Sequence, residues 1–240
     1  MIAILSDIHG NLYALNAVID DLTRQSIEGI IFLGDLIDYG QQSNEVIEVI
    51  STLHIPIICN LWGNHEDAIM RKDFAKFSSE RGKNSARYTS GTLSEHTKNY
   101  LETNCVKSGF KKIELCGKKC LVVHGSMEDI FWTGIIPENL HGNYQDYDVV
   151  FSGHTHYAHC FTKFYATNNL SMRNKKAVTF INPGSVGQPR NQNPNAQYAI
   201  VDTENWSVYL RAVKYDIAAA MNLFCGQVDD FYKMRLEKGV

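Results

Sequence analysis

The sequence predicts an α/β fold built around a parallel sheet, and three observations carry that expectation. Short apolar runs alternate with amphipathic helical patterns through the first third of the chain. The order strand, helix, strand, helix, strand implies right-handed crossovers and a sheet buried on both faces. Clusters of Asp, His and Asn follow the apolar runs directly, where open α/β sheets gather their ligands.

Ile2–Leu5 reads as the first strand. Asn11 is placed to cap a helix reaching about Arg24, with Leu12, Leu15, Val18, Ile19 and Leu22 on one face. Ile30–Leu33 is the next strand. Ser43 caps a second helix carrying Val46, Ile47, Val49 and Ile50, and Ile55–Cys59 is the third strand. Residues 66–108 change character: hydrophobicity drops, charges mix, and Ser94 to Leu101 reads as a helix start with polar faces. This stretch is expected to be a helical insertion on the sheet, acting as a partial lid.

Strands then return. Phe110–Leu115 and Cys120–Val123 read as a hairpin turning through Gly117-Lys118-Lys119. Asp148–Phe151, Cys160–Tyr165, Ala177–Ile181, Tyr198–Asp202 and Ser207–Val213 follow, with one C-terminal helix within Ile217 to Glu237. No internal repeat or low-complexity linker divides the chain, so residues 1–240 read as one domain.

With 44% apolar and 20% charged residues the composition is that of an ordinary soluble globular protein. A net charge of −3 argues against a broad basic surface for nucleic acid, and Lys111, Lys112, Lys118 and Lys119 read as solvated hairpin charges. No apolar run approaches the roughly 18 residues of a membrane span, so no membrane association is expected. Met1–Leu5 is too short for a secretory signal, which makes the cytoplasm the expected compartment. Among the six cysteines only Cys116 and Cys120 are close, and no second pair completes a zinc ribbon. Reduced structural thiols are expected. Phe131 and Trp132 read as core or lid packing, with the wall of a base-stacking pocket as the alternative.

Five clusters carry the chemistry. They are Asp7-Ile8-His9, Gly34-Asp35, Gly63-Asn64-His65-Glu66, His124-Gly125 and Gly153-His154-Thr155-His156, each just past a predicted strand. Carboxylate and imidazole ligands suit Mn, Fe or Zn, whereas Ca and Mg prefer oxygen alone. In Asp7-Ile8-His9 and His154-Thr155-His156 the paired ligands stand two residues apart, which on an extended segment sends both to one face. Two ions about 3.5–4 Å apart need a shared ligand, and Asp35 is the natural bridge. Singly, each motif has a bland reading. Gly-Asp is an ordinary turn, Gly-Asn-His-Glu a helix start, and His-x-His a satisfied pair on a strand. Five in succession after apolar strands point instead to a metal centre.

This ordered set resembles the calcineurin-like metallophosphoesterase superfamily. The opening Ser6-Asp7-Ile8-His9-Gly10-Asn11-Leu12 and the late Asn182-Pro183-Gly184-Ser185-Val186-Gly187-Gln188-Pro189-Arg190 are similar to its small bacterial single-domain phosphodiesterases and phosphatases. The resemblance implies a four-layer α/β/β/α sandwich holding two transition-metal ions. Asp7, His9 and His156 would hold the first ion and Asn64, His124 and His154 the second, with Asp35 bridging. His65 would not bind metal. It would act as a general acid or charge stabiliser at the phosphate, oriented by Asp38. The implied reaction is hydrolysis of a phosphomono- or phosphodiester of a small, nucleotide-like substrate by a hydroxide held between the ions.

In one place the chain departs from its relatives. Phosphoprotein phosphatases and symmetrical dinucleoside tetraphosphatases carry arginine after Gly-Asp-x-x-Asp, and here that residue is Tyr39. Arg190 is the candidate replacement for gripping a substrate phosphate, against the bland reading of a solvated loop residue. Phosphoprotein phosphatases and nucleases share the superfamily. So does a retromer subunit that binds protein partners without catalysis, but a scaffold of that kind expects eroded ligands. Here every ligand position and His65 are filled.

Overall fold

Ile2–Leu5 (β1) is apolar on both faces and takes the centre of a sheet. In the computed structural model, which describes residues 1–240, β1 is followed by the helix Leu12–Leu22 (α1), then Gly29–Phe32 (β2), Ser43–Ser51 (α2) and Ile57–Asn60 (β3). β1 pairs with β2 and β2 with β3 in parallel, as the alternation predicts. Three helices come next: Asn64–Arg71 (α3), Glu80–Thr92 (α4) and Glu95–Asn104 (α5). A second sheet is built from Phe110–Leu115 (β4), Lys118–Val123 (β5), Val149–Ser152 (β6), His159–Ala166 (β7) and Lys175–Asn182 (β8), in the order β4-β5-β6-β8-β7. Ala196–Val201 (β9) and Val208–Val213 (β10) then return to the first sheet, antiparallel, giving β10-β9-β1-β2-β3. Ile217–Asn222 (α6) and Asp230–Lys238 (α7) end the chain.

The side-chain period of two sorts each strand between two cores. Ile2, Ile4 and Ile31 point at the second sheet, where they meet Cys120, Val122, Phe151 and Ile181. Ala3, Leu5, Ile30 and Phe32 point the other way, into Leu15, Val18, Val46 and Ile47 of α1 and α2. The result is an α/β architecture of two mixed sheets packed face to face and flanked by helices. The outer face of the second sheet is covered by the segment leading from β5 to β6, whose Ile135, Tyr144 and Tyr147 pack on Val123, Val150 and Phe180. Each fully buried Leu, Ile or Val contributes about 1.5–3 kcal/mol, so these cores can hold the strand ends in backbone conformations that cost energy.

Some elements differ from expectation for definable reasons. Asn11 caps α1 as read, accepting from Ala14 N, and Ser94 caps α5, accepting from Thr97 N. Ser43 does not cap α2; Gln42 holds that position, and Ser43 Oγ instead accepts from Asp38 N at 3.0 Å. The hairpin turns one residue earlier than read, at Cys116-Gly117, both with positive φ (45° and 76°) as a type I′ turn requires. Lys118 and Lys119 therefore belong to β5. The C-terminal helix is two helices, broken near Gly226 (φ 86°) and restarted by Asp229, whose side chain accepts from Phe231 N. All six cysteines are free; Cys59, Cys105 and Cys120 are buried, while Cys116, Cys160 and Cys225 are exposed. No helix is long and apolar enough to cross a membrane.

Candidate metal centre

The loops after β1 and β2 run side by side. Asp7 N donates to Gly34 O (3.0 Å), His9 N to Asp35 O (2.9 Å) and Gly10 N to Leu36 O (3.0 Å), so Asp7, His9 and Asp35 are set by one backbone ladder. The extended geometry expected for Asp-x-His and His-x-His does not occur. Asp7, His9, Asp35, His154 and His156 all lie in the left-handed region, with φ of 54°, 48°, 54°, 66° and 60°. These five side chains converge because the chain kinks at each of them rather than because pleated side chains alternate. Non-glycine residues held there cost on the order of 1–3 kcal/mol each and mark sites where the surrounding structure over-determines the backbone.

Glu66 is one such determinant. Its buried carboxylate accepts from Gly63 N (2.7 Å), Asp35 N (2.8 Å), Leu36 N (2.8 Å) and Ile37 N (3.1 Å). One side chain thus closes the start of α3 and fastens the loop carrying Asp35 to the helix carrying Asn64 and His65. Gly63 can be nothing larger, because a methyl group there would overlap the Asp35 carboxylate.

Seven side chains meet at the strand ends in two groups. Asp7, His9, Asp35 and His156 form one; Asp35, His124 and His154 form the other, and within each the ligand atoms lie within 4.8 Å of one another. Asn64 joins the second group, its Oδ1 3.0 Å from both His124 Nε2 and His154 Nδ1. The tautomers are dictated from outside. His9 Nδ1 faces Ile37 O (3.3 Å), His124 Nδ1 faces Leu33 O (2.8 Å) and His156 Nδ1 faces Gln188 O (2.6 Å). With protons on Nδ1, the Nε2 atoms of the neutral His9 and His156 are lone pairs. His9 Nε2 and His156 Nε2 then confront each other at 3.3 Å, beside an Asp7 Oδ1 that has no aligned hydrogen-bond donor. Buried lone pairs and carboxylates facing one another are what a cation satisfies, so this donor set fits a metal ion.

Charge follows the same pattern. Burial, then His65, pushes His9 well below its ordinary value; burial, then Arg190, lowers His156; burial, then His124, takes His154 to about 4. All three are held in the neutral form that binds metal. Burial also opposes protonation of His124, but the adjoining Asp35 carboxylate outweighs it and lifts His124 to about 9.

His65 stands beside these groups. Its Nδ1 is 2.7 Å from Asp38 Oδ2, and its backbone N donates to Asp35 Oδ1 at 2.9 Å. Burial disfavours its protonated form, yet Asp35 and Asp38 raise it above the ordinary value. The second oxygen of Asp38 accepts from Ser85 Oγ and Thr89 Oγ1, both at 2.7 Å. The helix α4, read from sequence as part of a polar lid, therefore supplies the two groups that hold Asp38. Their i, i+4 spacing on one helix face was the only signal.

A cleft of about 350 Å³ opens over the centre, lined by Asp35, Asn64, His65, His154, His156 and Arg190 together with aromatic side chains. Arg190 is not a free solvated residue; it is half-buried beside His156, whose carbonyl accepts from Arg190 N at 3.3 Å. Phe131 and Trp132 part company: Phe131 packs under Gly109, while Trp132 lines the cleft edge-on to Phe77 at 5.2 Å. Tyr39, at the position where relatives carry arginine, stacks on Tyr232 of α7 (4.2 Å, 19°) and meets His65 edge-on at 4.4 Å.

The calcineurin-like phosphoesterase superfamily domain matches residues 1–206, and the chain belongs to that superfamily as a phosphoesterase. An uncharacterized protein of Methanocaldococcus jannaschii is 30% identical over 229 residues, 92% of this chain and 90% of that one. A metallophosphoesterase from Sphaerobacter thermophilus superposes with a TM-score of 0.73 at 27% identity, covering 100% of this chain and 98% of that chain. A hypothetical protein of Pyrococcus horikoshii shares the fold at 21% identity, with a TM-score of 0.77 over 100% of this chain and 98% of its own.

Proposed function

We propose that the chain hydrolyses phosphomono- or phosphodiester bonds of small, nucleotide-like substrates at a centre of two Mn, Fe or Zn ions. Asp7, His9 and His156 would hold one ion, and Asn64, His124 and His154 would hold the other. The observation that carries this reading is the position of Asp35 Oδ2, 3.7 Å from His9 Nε2 and 3.4 Å from His124 Nε2. A single carboxylate oxygen lies between two ligand groups, as a bridging ligand must. Two such ions, when bound, activate water and neutralise charge on the phosphate oxygens.

The protein's own groups do the rest. Asp38 occupies His65 Nδ1, which leaves Nε2 free to give a proton to the departing oxygen. Arg190 supplies a planar donor fork for a substrate phosphate. Trp132 and Phe77 offer an apolar wall on one side of the cleft, which suits a nucleobase or another flat leaving group.

The test is a screen of Mn-loaded protein across nitrophenyl mono- and diesters, phosphopeptides and dinucleoside polyphosphates. His65→Asn should keep the metal stoichiometry while lowering kcat by about 10²–10⁴. Asp35→Asn should weaken binding of both ions. Loss of metal in the first variant and retention in the second would reverse the roles.

A further inference from the structure

The segment beyond residue 206 lies outside the superfamily match, yet α7 from this segment packs against the site. It delivers Arg235. Arg235 Nη1 and Arg190 Nη2 both donate to a single acceptor, Gln188 Oε1, each at 3.2 Å. Two cations are gathered on one neutral amide oxygen, and neither has a carboxylate partner; the arginines in ion pairs are Arg71 and Arg211. The Nε atoms of both Arg190 and Arg235 are buried without a hydrogen-bond partner. Arg81 stands close by, with its guanidinium 3.8 Å from the Phe231 ring, and Arg235 lies over the same ring at 4.6 Å. Burial, then repulsion from Arg190, pulls Arg235 down to about 10. Buried guanidinium donors left without an anion are costly, and a bound anion relieves that cost.

Gln188 also fixes where the pair sits. Its backbone carbonyl holds His156 Nδ1, the ring nitrogen opposite the one turned to Asp7 and His9, while its side chain holds the arginines. The pair is therefore set beyond the metal side of His156, adjoining the cleft that Arg190 lines. Asp35 is the one carboxylate lining that cleft, and Lys76 adds a further cation to its wall.

We propose that Arg190 and Arg235 form a second anion subsite beside the metal centre, and that the substrate carries a second phosphate held by this pair. The proposal rests on the phosphoesterase reading for the first phosphate only. A phosphate suits the pair because each guanidinium can present two parallel donors to two oxygens.

The experiment compares methylenediphosphonate with methylphosphonate as inhibitors of p-nitrophenyl phosphate hydrolysis by the Mn-loaded protein. Each probe's effect on Tm is measured in parallel. Wild type should prefer the diphosphonate by about 10–100-fold, the range for gaining a charged hydrogen-bonded contact. Arg235→Met should cut that preference about tenfold or more and shrink the diphosphonate-induced rise in Tm, with Arg235→Lys falling between. An unchanged preference in Arg235→Met overturns the subsite, as does an equal loss of affinity for both probes. An Arg235-dependent rise in Tm without hydrolysis of any phosphate ester would keep the subsite and sink the catalytic reading. Hydrolysis without an Arg235-dependent preference would do the reverse.

Discussion

Replacing Thr89 by valine removes one of the two hydroxyls that hold Asp38, at nearly constant volume. Asp38 is 0% exposed, and its Oδ1 accepts from Ser85 Oγ and Thr89 Oγ1 at 2.7 Å each. A hydrogen bond to a charged group contributes about 1.5–3 kcal/mol. At about 2–4 °C per kcal/mol for a chain of this length, Thr89→Val should lower Tm by about 3–12 °C. Ser85→Ala should do much the same. Since both hydroxyls serve one oxygen, the double variant leaves it bare and should lose more than the two single losses added together.

The same changes should reach catalysis only through His65, whose Nδ1 bonds the other Asp38 oxygen at 2.7 Å. A loosened Asp38 misplaces the imidazole, and a loss of about 1.4 kcal/mol of transition-state stabilisation would lower kcat about tenfold. KM and metal content should hold. Scanning calorimetry and steady-state kinetics on the four proteins, repeated in a His65→Asn background, form the assay. In that background Thr89→Val should no longer change kcat. An equal fall in kcat there would show that the hydroxyls act through something other than His65, and an unchanged Tm would refute the hydrogen-bond argument itself.

Arg190→Ala should lower kcat/KM by about 10–100-fold, with Arg190→Lys recovering part, because an ammonium cannot reproduce the bidentate fork; unchanged kinetics would return Arg190 to a structural role. A second expectation concerns pH. Burial works against ionisation of Asp21, but hydrogen bonds from Tyr198 and Arg211 hold its carboxyl below the ordinary 3.8. A depressed folded value means the stabilisation is full above 3.8 and is lost as pH falls through the lowered folded value. The stability gap between wild type and Asp21→Asn in urea should thus be widest near neutral pH and narrow in strong acid. A gap independent of pH would contradict this.

The core of the fold was legible because burial imposes periodicity. Leu15, Val18 and Leu22 recur at helical spacing, and all three are buried against the first sheet. The clusters of Asp, Asn and His that come together were legible because they sit in short runs directly after such strands. The geometry that makes them converge was not, since positive φ at Asp7, His9, His154 and His156 leaves no mark on hydrophobic pattern. The supporting residues were hidden by distance along the chain. Ser85 lies 47 positions from Asp38, and Arg235 lies 47 from Gln188, so each pairing exists only once the chain has folded. Elements that missed their bounds did so where a local rule yielded to a tertiary one, as when Ser43 gave up capping α2 to bond Asp38 N.

Anomalous scattering from Mn-soaked crystals tests the central claim most directly. The expected map has two peaks about 3.5–4 Å apart. One should lie within coordination distance of Asp7, His9 and His156, the other of Asn64, His124 and His154, with Asp35 touching both. A single peak, or peaks elsewhere with these side chains turned away from them, would contradict the two-metal centre.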